Sequence, residues 1–407
     1  MSVDTKAIRV TDDIYWVGAI DWALRDFHGY QTSRGTTYNA FLVMADKVTL
    51  IDTVKQPFCA EMLARISSVI DPAKIDYIVS NHSEMDHSGC LPQAIAAIQP
   101  EKVIASTVGA KTLSRHFQLD QEITPVKDGE TLSLGNLNLA FVETKMLHWP
   151  DSMFSYLPER QLLFAQDAFG MHLATSERFD DEVDDWVLEF EAAKYYANIL
   201  TPFSPLVLKL LERVGGMNLD IKTIAPDHGP IWRKDLGRIL GLYEKWATMA
   251  PSRKAVVVYD TMWKSTAAMA RAYGEGLLEG GACVRLMPLG ASHRSDVATE
   301  LLDAGALLVG SPTMNNTIFP TVADVLTYLK GLKRQNLIGT CFGSYGWSGE
   351  ATKQIAQTLE EMKVDIVTEP VRAQYVPDES DLAKCYEAGK LIAEKLQANC
   401  ECACQPR

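Results

Sequence analysis

Apolar and polar positions along the chain fall into two rhythms. Up to about residue 250, short apolar runs dominate: 48–52 after the turn at 45–47, 75–79 after the helix breaker Asp71-Pro72, 103–105, the alternating 137–142, and 162–165. Runs of this length and content read as strands. Residues 57–70 and 109–117 carry a helical pattern between them. Strands interspersed with helices predict a layered α/β architecture. From Pro251-Ser252-Arg253 onward the alternation becomes regular. Strands are expected at 255–259, 283–289, 306–310, 337–342 and 364–367, and helices at 266–279, 295–304, 321–332, 350–363 and near 380–397. Five strands with crossover helices predict an open parallel sheet covered on both faces. The expected domains are therefore 1–250 and 251–407.

Composition narrows the class of protein. The 407 residues carry 39 Lys plus Arg against 52 Asp plus Glu, a net charge of −13. An acidic chain without a long basic run does not read as a nucleic-acid binder. No run of ~18 apolar residues suggests a membrane span, and MSVDTKAIRV lacks the apolar core of a signal peptide. The expectation is a soluble cytoplasmic protein. Eight cysteines are present, at 59, 90, 283, 341, 385, 400, 402 and 404. None forms a Cys-x-x-Cys pair, which reads as reduced thiols rather than a disulfide framework. The terminal run Cys400-Glu401-Cys402-Ala403-Cys404 reads as a frayed tail, with a soft-metal site or redox pair as the alternative.

The chemistry concentrates in Asn81-His82-Ser83-Glu84-Met85-Asp86-His87, which follows the strand at 75–80. In extended backbone His82, Glu84 and Asp86 share one side, and a turn near Gly89 lets His87 reach a second point. Packing four ionisable groups together without a cation costs on the order of several kcal/mol. A solvated acidic loop is the competing reading. His148, Asp167 and His228 each sit in a loop just after a strand, where sites on α/β scaffolds gather.

In the second half, Thr261-Met262-Trp263-Lys264-Ser265-Thr266 joins a strand to a helix N-terminus. Backbone N–H groups, the helix dipole and hydroxyls make such a loop an anion site. It lacks both Gly-x-x-x-x-Gly-Lys and Gly-x-Gly-x-x-Gly. Two further loops, Pro312-Thr313-Met314-Asn315-Asn316 and Ser344-Tyr345-Gly346-Trp347-Ser348-Gly349, follow strands whose carboxyl ends are where open sheets bind ligands. Tyr345 and Trp347 offer flat faces for stacking.

The set His82-x-Glu84-x-Asp86-His87 with His148, Asp167 and His228 resembles the metallo-β-lactamase superfamily. More closely it resembles the flavodiiron proteins, in which a Glu replaces one His of the superfamily motif. A carboxylate is a harder ligand, suited to iron over zinc. The three later loops resemble the phosphate loop and two ring-binding loops of flavodoxin. The resemblance implies an N-terminal metallo-β-lactamase-like αββα domain followed by a flavodoxin-like doubly wound parallel sheet. It implies one iron held by His82, Glu84 and His148, a second held by Asp86, His87 and His228, and Asp167 bridging them. Every ligand position is filled in this chain. His28, His172 and Tyr195 match residues that the family places beside the metals. FMN is the implied flavin, held by the three loops. The implied function is an FMN-relayed diiron reductase acting on O2, NO or both. Because no paired Cys-x-x-Cys is present, the implied electron donor is a separate protein such as rubredoxin, or a reduced deazaflavin. The implied assembly is a head-to-tail homodimer or a dimer of dimers. The rival reading is a dizinc metallo-hydrolase fused to a flavodoxin module.

Overall fold

The computed structural model describes residues 5–403, with side chains through Cys400. The chain divides into two compact units. One comprises residues 1–28, 32–195 and 205–244; the other comprises 29–31, 196–204 and 245–407. Residues 196–204 and 245–250 thus group with the second unit.

In the first unit a seven-stranded and a five-stranded sheet lie face to face. The larger runs in the order Ile8–Arg9, Ile14–Trp16, Phe41–Val43, Thr49–Ile51, Tyr77–Ser80, Lys102–Ser106, Ile123–Val126. The smaller runs Thr131–Ser133, Asn138–Glu143, Met153–Leu157, Leu162–Gln166, Thr223–Pro226. Phe41, Ile51 and Val79 from one sheet and Phe141, Phe164 and Ala225 from the other share a single apolar core. On its other face the larger sheet packs against the helices Cys59–Ser67, Leu91–Ile98 and Thr107–His116. The first of these buries Cys59, Met62 and Ile66, the spacing of one helical face. The third is capped by Ser106, whose side chain accepts from the Gly109 N–H. The helices Ser204–Gly216 and Leu236–Ala247 line, with Phe154, Leu163 and Ile224 of the smaller sheet, a cavity of about 680 Å³.

Two cysteines depart from the expectation of free thiols. Cys59 and Cys90 form a disulfide, their Cα atoms 5.3 Å apart. Cys59 opens one helix and Cys90 caps the next, and both helices press into the same core. That packing joins two residues 31 positions apart, a separation with no signature in the sequence.

The main sheet of the second unit is built of parallel pairs in the order Cys283–Pro288, Lys254–Tyr259, Ala306–Gly310, Ile338–Tyr345, Asp365–Ile366. The fifth strand is shorter than expected, and Val371–Gln374 resumes the pairing along Phe342–Tyr345. Pro370 lies at the break, where it has no N–H to give a ladder. Arg372 and Gln374 are exposed, so the segment lacks the apolar run that marked the other strands. The last helix, Glu379–Ala403, outlasts its expected end. Cys400 therefore sits on a helix rather than a frayed tail, its thiol 3.5 Å from the Pro251 carbonyl; Cys404 lies outside the described residues. This helix crosses Ser265–Glu279 closely enough that a Cβ on Gly276 would lie 1.9 Å from the Tyr386 carbonyl.

Candidate functional site

The metal-type residues converge at carboxyl ends of strands in the first unit. His82 follows Tyr77–Ser80, Asp167 follows Leu162–Gln166, and His228 follows Thr223–Pro226. His148 comes from the loop between Asn138–Glu143 and Met153–Leu157. Extended backbone carries only the first part of the motif. The carbonyl of Glu84 accepts from His87 and Ser88, and Met85–Ser88 is a helical turn. Asp86 thus reaches the cluster from a helix, not from the strand-like alternation expected.

The distances sort the seven side chains into two halves. His148 Nε2 lies 3.1 Å from Glu84 Oε2 and 3.1 Å from Asp167 Oδ2, and His82 Nε2 lies 3.2 Å from that same oxygen. On the other side His228 Nε2 is 3.2 Å from Asp86 Oδ2, 3.1 Å from His87 Nε2 and 3.7 Å from Asp167 Oδ1. The two oxygens of Asp167 therefore face different halves. His228 Nδ1 donates to the Thr37 carbonyl at 2.6 Å, which leaves its Nε2 lone pair turned into the cluster. The loop carrying His228 is pinned by Asn39, whose amide donates to the carbonyls of Pro226 and Gly229.

These residues fit a cation. His82, Asp86, His87, Asp167 and His228 are all at least 96% buried. Both ring nitrogens of His82, both oxygens of Asp86 and Oδ2 of Asp167 have no hydrogen bond. Buried polar atoms in such number are normally satisfied, and metal ions satisfy them. Ligand atoms from His82, Glu84 and Asp167 lie within 4.8 Å of one another, as do those from His87, Asp167 and His228. Without a cation, burial together with His228 and His82 holds His87 well below its ordinary pKa. Against burial, the carboxylates of Asp167 and Glu84, each 3.1 Å from its Nε2, raise His148 to about 10.

In the second unit, Met262, Trp263, Ser265, Pro312, Thr313, Asn315, Asn316, Ser344, Tyr345, Gly346, Trp347 and Ser348 wall one cleft. Thr261, Lys264, Thr266, Met314 and Gly349 stand outside its wall. Thr266 turns its hydroxyl to Ser344 Oγ at 3.0 Å. Lys264, at φ 68°, turns the chain into the helix Ser265–Glu279. Tyr375 also lines the cleft, although no motif surrounds it.

Comparison with known proteins agrees with this geometry. Residues 36–229 match the ODP family beta lactamase model and residues 257–389 match the flavodoxin model. The nitric oxide reductase of Moorella thermoacetica is 49% identical over 396 residues, covering 96% of this chain and 99% of that protein. The structure of rubredoxin oxygen:oxidoreductase from Desulfovibrio gigas superposes with a TM-score of 0.95 at 46% identity, covering 97% of this chain and 99% of that one. The flavodiiron protein from Giardia intestinalis gives a TM-score of 0.94 at 33% identity, covering 98% and 99%. The chain belongs to the flavodiiron protein family.

The remaining expected residues of this flavodiiron chain stand around the cluster. His28 is largely exposed, with Nε2 3.1 Å from Glu84 Oε1, and that contact raises its pKa. His172 is buried, Nδ1 2.9 Å from Thr36 Oγ1, its ring centroid 4.6 Å from that of His228. Burial and His228 hold its pKa well below the ordinary value. Tyr195 packs 5.1 Å from the His172 ring, and burial pushes its pKa up. Thr36, within reach of both His172 and His228, went unrecognised in the sequence. A threonine on a strand has no spacing that marks it.

Proposed function

We propose that this flavodiiron protein is an FMN-relayed diiron reductase, reducing O2 to water, NO to N2O, or both, with electrons from a partner such as rubredoxin or a reduced deazaflavin. The observation that carries the reading is the position of Asp167, with one oxygen toward His82 and His148 and the other toward His228. His82, Glu84 and His148 would hold one iron, Asp86, His87 and His228 the other, and Asp167 would span both. When bound, FMN supplies one-electron exchange and the two irons supply adjacent reducing equivalents. The names of the relatives from Moorella thermoacetica and Desulfovibrio gigas support both gases as substrates.

The residues around the cluster manage water and protons. Burial of the ligands keeps bulk water away from them. Reduction of O2 to two waters consumes four protons, and reduction of two NO to N2O and water consumes two. His28, in contact with solvent and Glu84, is placed to relay protons at the rim. Tyr195 keeps its hydroxyl proton and offers it as a hydrogen bond. In the second unit, Trp263 and Trp347 would flank the flavin ring and the N-terminus of Ser265–Glu279 would receive its phosphate.

In this reading residues 1–250 form the diiron domain and 251–407 the FMN domain, working as a head-to-tail homodimer or dimer of dimers in the cytoplasm. No described helix is long and apolar enough to cross a membrane. Metal and flavin analysis of anaerobically purified protein tests the site: two iron and one FMN per chain are expected, whereas two zinc would favour a hydrolase. O2 and NO consumption with reduced rubredoxin then tests the activity, and full turnover by a strict monomer would remove the dimer from the account.

A further inference from the structure

We propose that Asp227 is a positioning residue shared by the two halves of the metal centre, its Oδ2 anchoring the outer ring nitrogens of both His82 and His87. The inference rests on the reading of those histidines as ligands, one to each iron. Asp227 follows the strand Thr223–Pro226 and is 1% exposed. Its N–H donates to the Gln166 carbonyl at 2.8 Å and its carbonyl accepts from Asn39 at 2.7 Å, so the backbone is pinned on both sides. From there Oδ2 lies 3.4 Å from His82 Nδ1 and 3.8 Å from His87 Nδ1.

Both rings direct their other nitrogen inward. His82 Nε2 faces Asp167 at 3.2 Å and His87 Nε2 faces His228 at 3.1 Å. The two ring centroids are 5.1 Å apart with planes 37° from each other, and Asp227 Oδ2 lies near the outer nitrogen of each. His82 Nδ1, His87 Nδ1 and Asp227 Oδ2 are all buried, and none has a hydrogen bond. Closing the first gap by a few tenths of an ångström brings it within ordinary hydrogen-bond range. A neutral imidazole carries one N–H. An acceptor oxygen at the outer edge holds that proton on Nδ1, leaves the Nε2 lone pair for a metal, and fixes the ring's orientation.

Neighbouring groups do not share this arrangement. Asp52 is equally buried, but its two oxygens take the backbone and side-chain N–H of Asn81, each at 2.6 Å. His228 is backed by the neutral Thr37 carbonyl. One carboxylate thus stands behind one expected ligand of each iron.

The test is a ferrous-iron titration of the full-length apoprotein against a competing chelator. Asp227→Asn keeps the shape and replaces one carboxyl oxygen by an amide nitrogen. Both iron equivalents should bind about 10–100-fold more weakly, the usual effect of losing such a partner, with an unchanged far-UV spectrum. Loss confined to one equivalent, or both within about threefold of wild type, overturns the inference. A wild-type apoprotein that takes up no iron sinks the site assignment instead. Asp227→Ser answers the same question if the Asn variant does not fold, and if neither folds the residue belongs to the fold and the proposal fails. A second readout separates anchoring from packing. In the zinc-loaded, diamagnetic protein the Nδ1 protons of His82 and His87 should both shift in Asp227→Asn while that of His228 stays. Unmoved His82 and His87 signals also overturn the proposal.

Discussion

The candidate metal cluster and the proposed flavin cleft are both built at carboxyl ends of strands, yet they are made in opposite ways. The cluster is closed: Asp167, His82 and His228 are each 1% exposed, and their contacts form a continuous cage. The cleft is open: Trp263 is 90% exposed and Trp347 86%. A cation site must hold mutually repelling groups in place before the ion arrives, so the fold locks it with backbone bonds such as those at Asp227 and Asn39. A flat ligand can organise its own walls, so the aromatic faces wait in solvent.

The comparison breaks most decisively at Asp167. Asp167→Ala removes the one carboxylate that faces both halves. Iron should fall from two per chain to below one, and turnover of either gas should drop at least about 100-fold. Flavin content should stay at one per chain. Flavin lost along with iron would show that the closed site and the open cleft do not form independently. Glu84→His is a subtler break. It keeps a ligand but softens it, so zinc should displace iron when the two compete during reconstitution, and activity should fall with the iron. A variant that still prefers iron would mean that the carboxylate does not set the metal.

The same contrast decides what the sequence revealed. Charged clusters announce themselves, because His82, Glu84, Asp86 and His87 within six residues have no cheap explanation without a cation. The parallel sheet of the second unit was equally open to reading, since its strands are continuous apolar runs such as Lys254–Tyr259 and Ala306–Gly310. What stayed hidden depends on packing rather than local pattern. Asp227 stood in plain view beside His228, yet only tertiary structure turns its oxygen toward two histidines from elsewhere in the chain. The Cys59–Cys90 bond arises where two helices meet. Asp86 departs from strand-like alternation because the carbonyl of Glu84 starts a helical turn, which leaves no mark in the local residue pattern. Tyr375 lies just past the strand Val371–Gln374, whose two buried residues are too few to form an apolar run.

On the open side, Trp347→Ala should weaken FMN by about 3–10-fold, the worth of an aromatic stack, and leave iron content unchanged. Flavin titration of deflavinated protein reads this directly. An effect above about 100-fold would mean that the exposed wall is an organised part of the site, closer in kind to the metal cage than its exposure indicates.

The smallest effect lies at the rim where the closed site meets solvent. Hydrogen bonding to Glu84 raises the pKa of His28 above its ordinary value of about 6.5. A group whose folded pKa is raised adds stability that is fully present below the unfolded value and is lost as pH rises through the folded one. In the metal-free protein, His28→Gln should therefore destabilise the fold more at pH 5.5 than at pH 8.5. The side chain is largely exposed, so solvent screening holds the difference to under about 1 kcal/mol. Denaturant titrations of both proteins at the two pH values measure it. A variant that loses more at the higher pH would show that His28 stands by Glu84 as a neutral ring, leaving the rim without a stored proton.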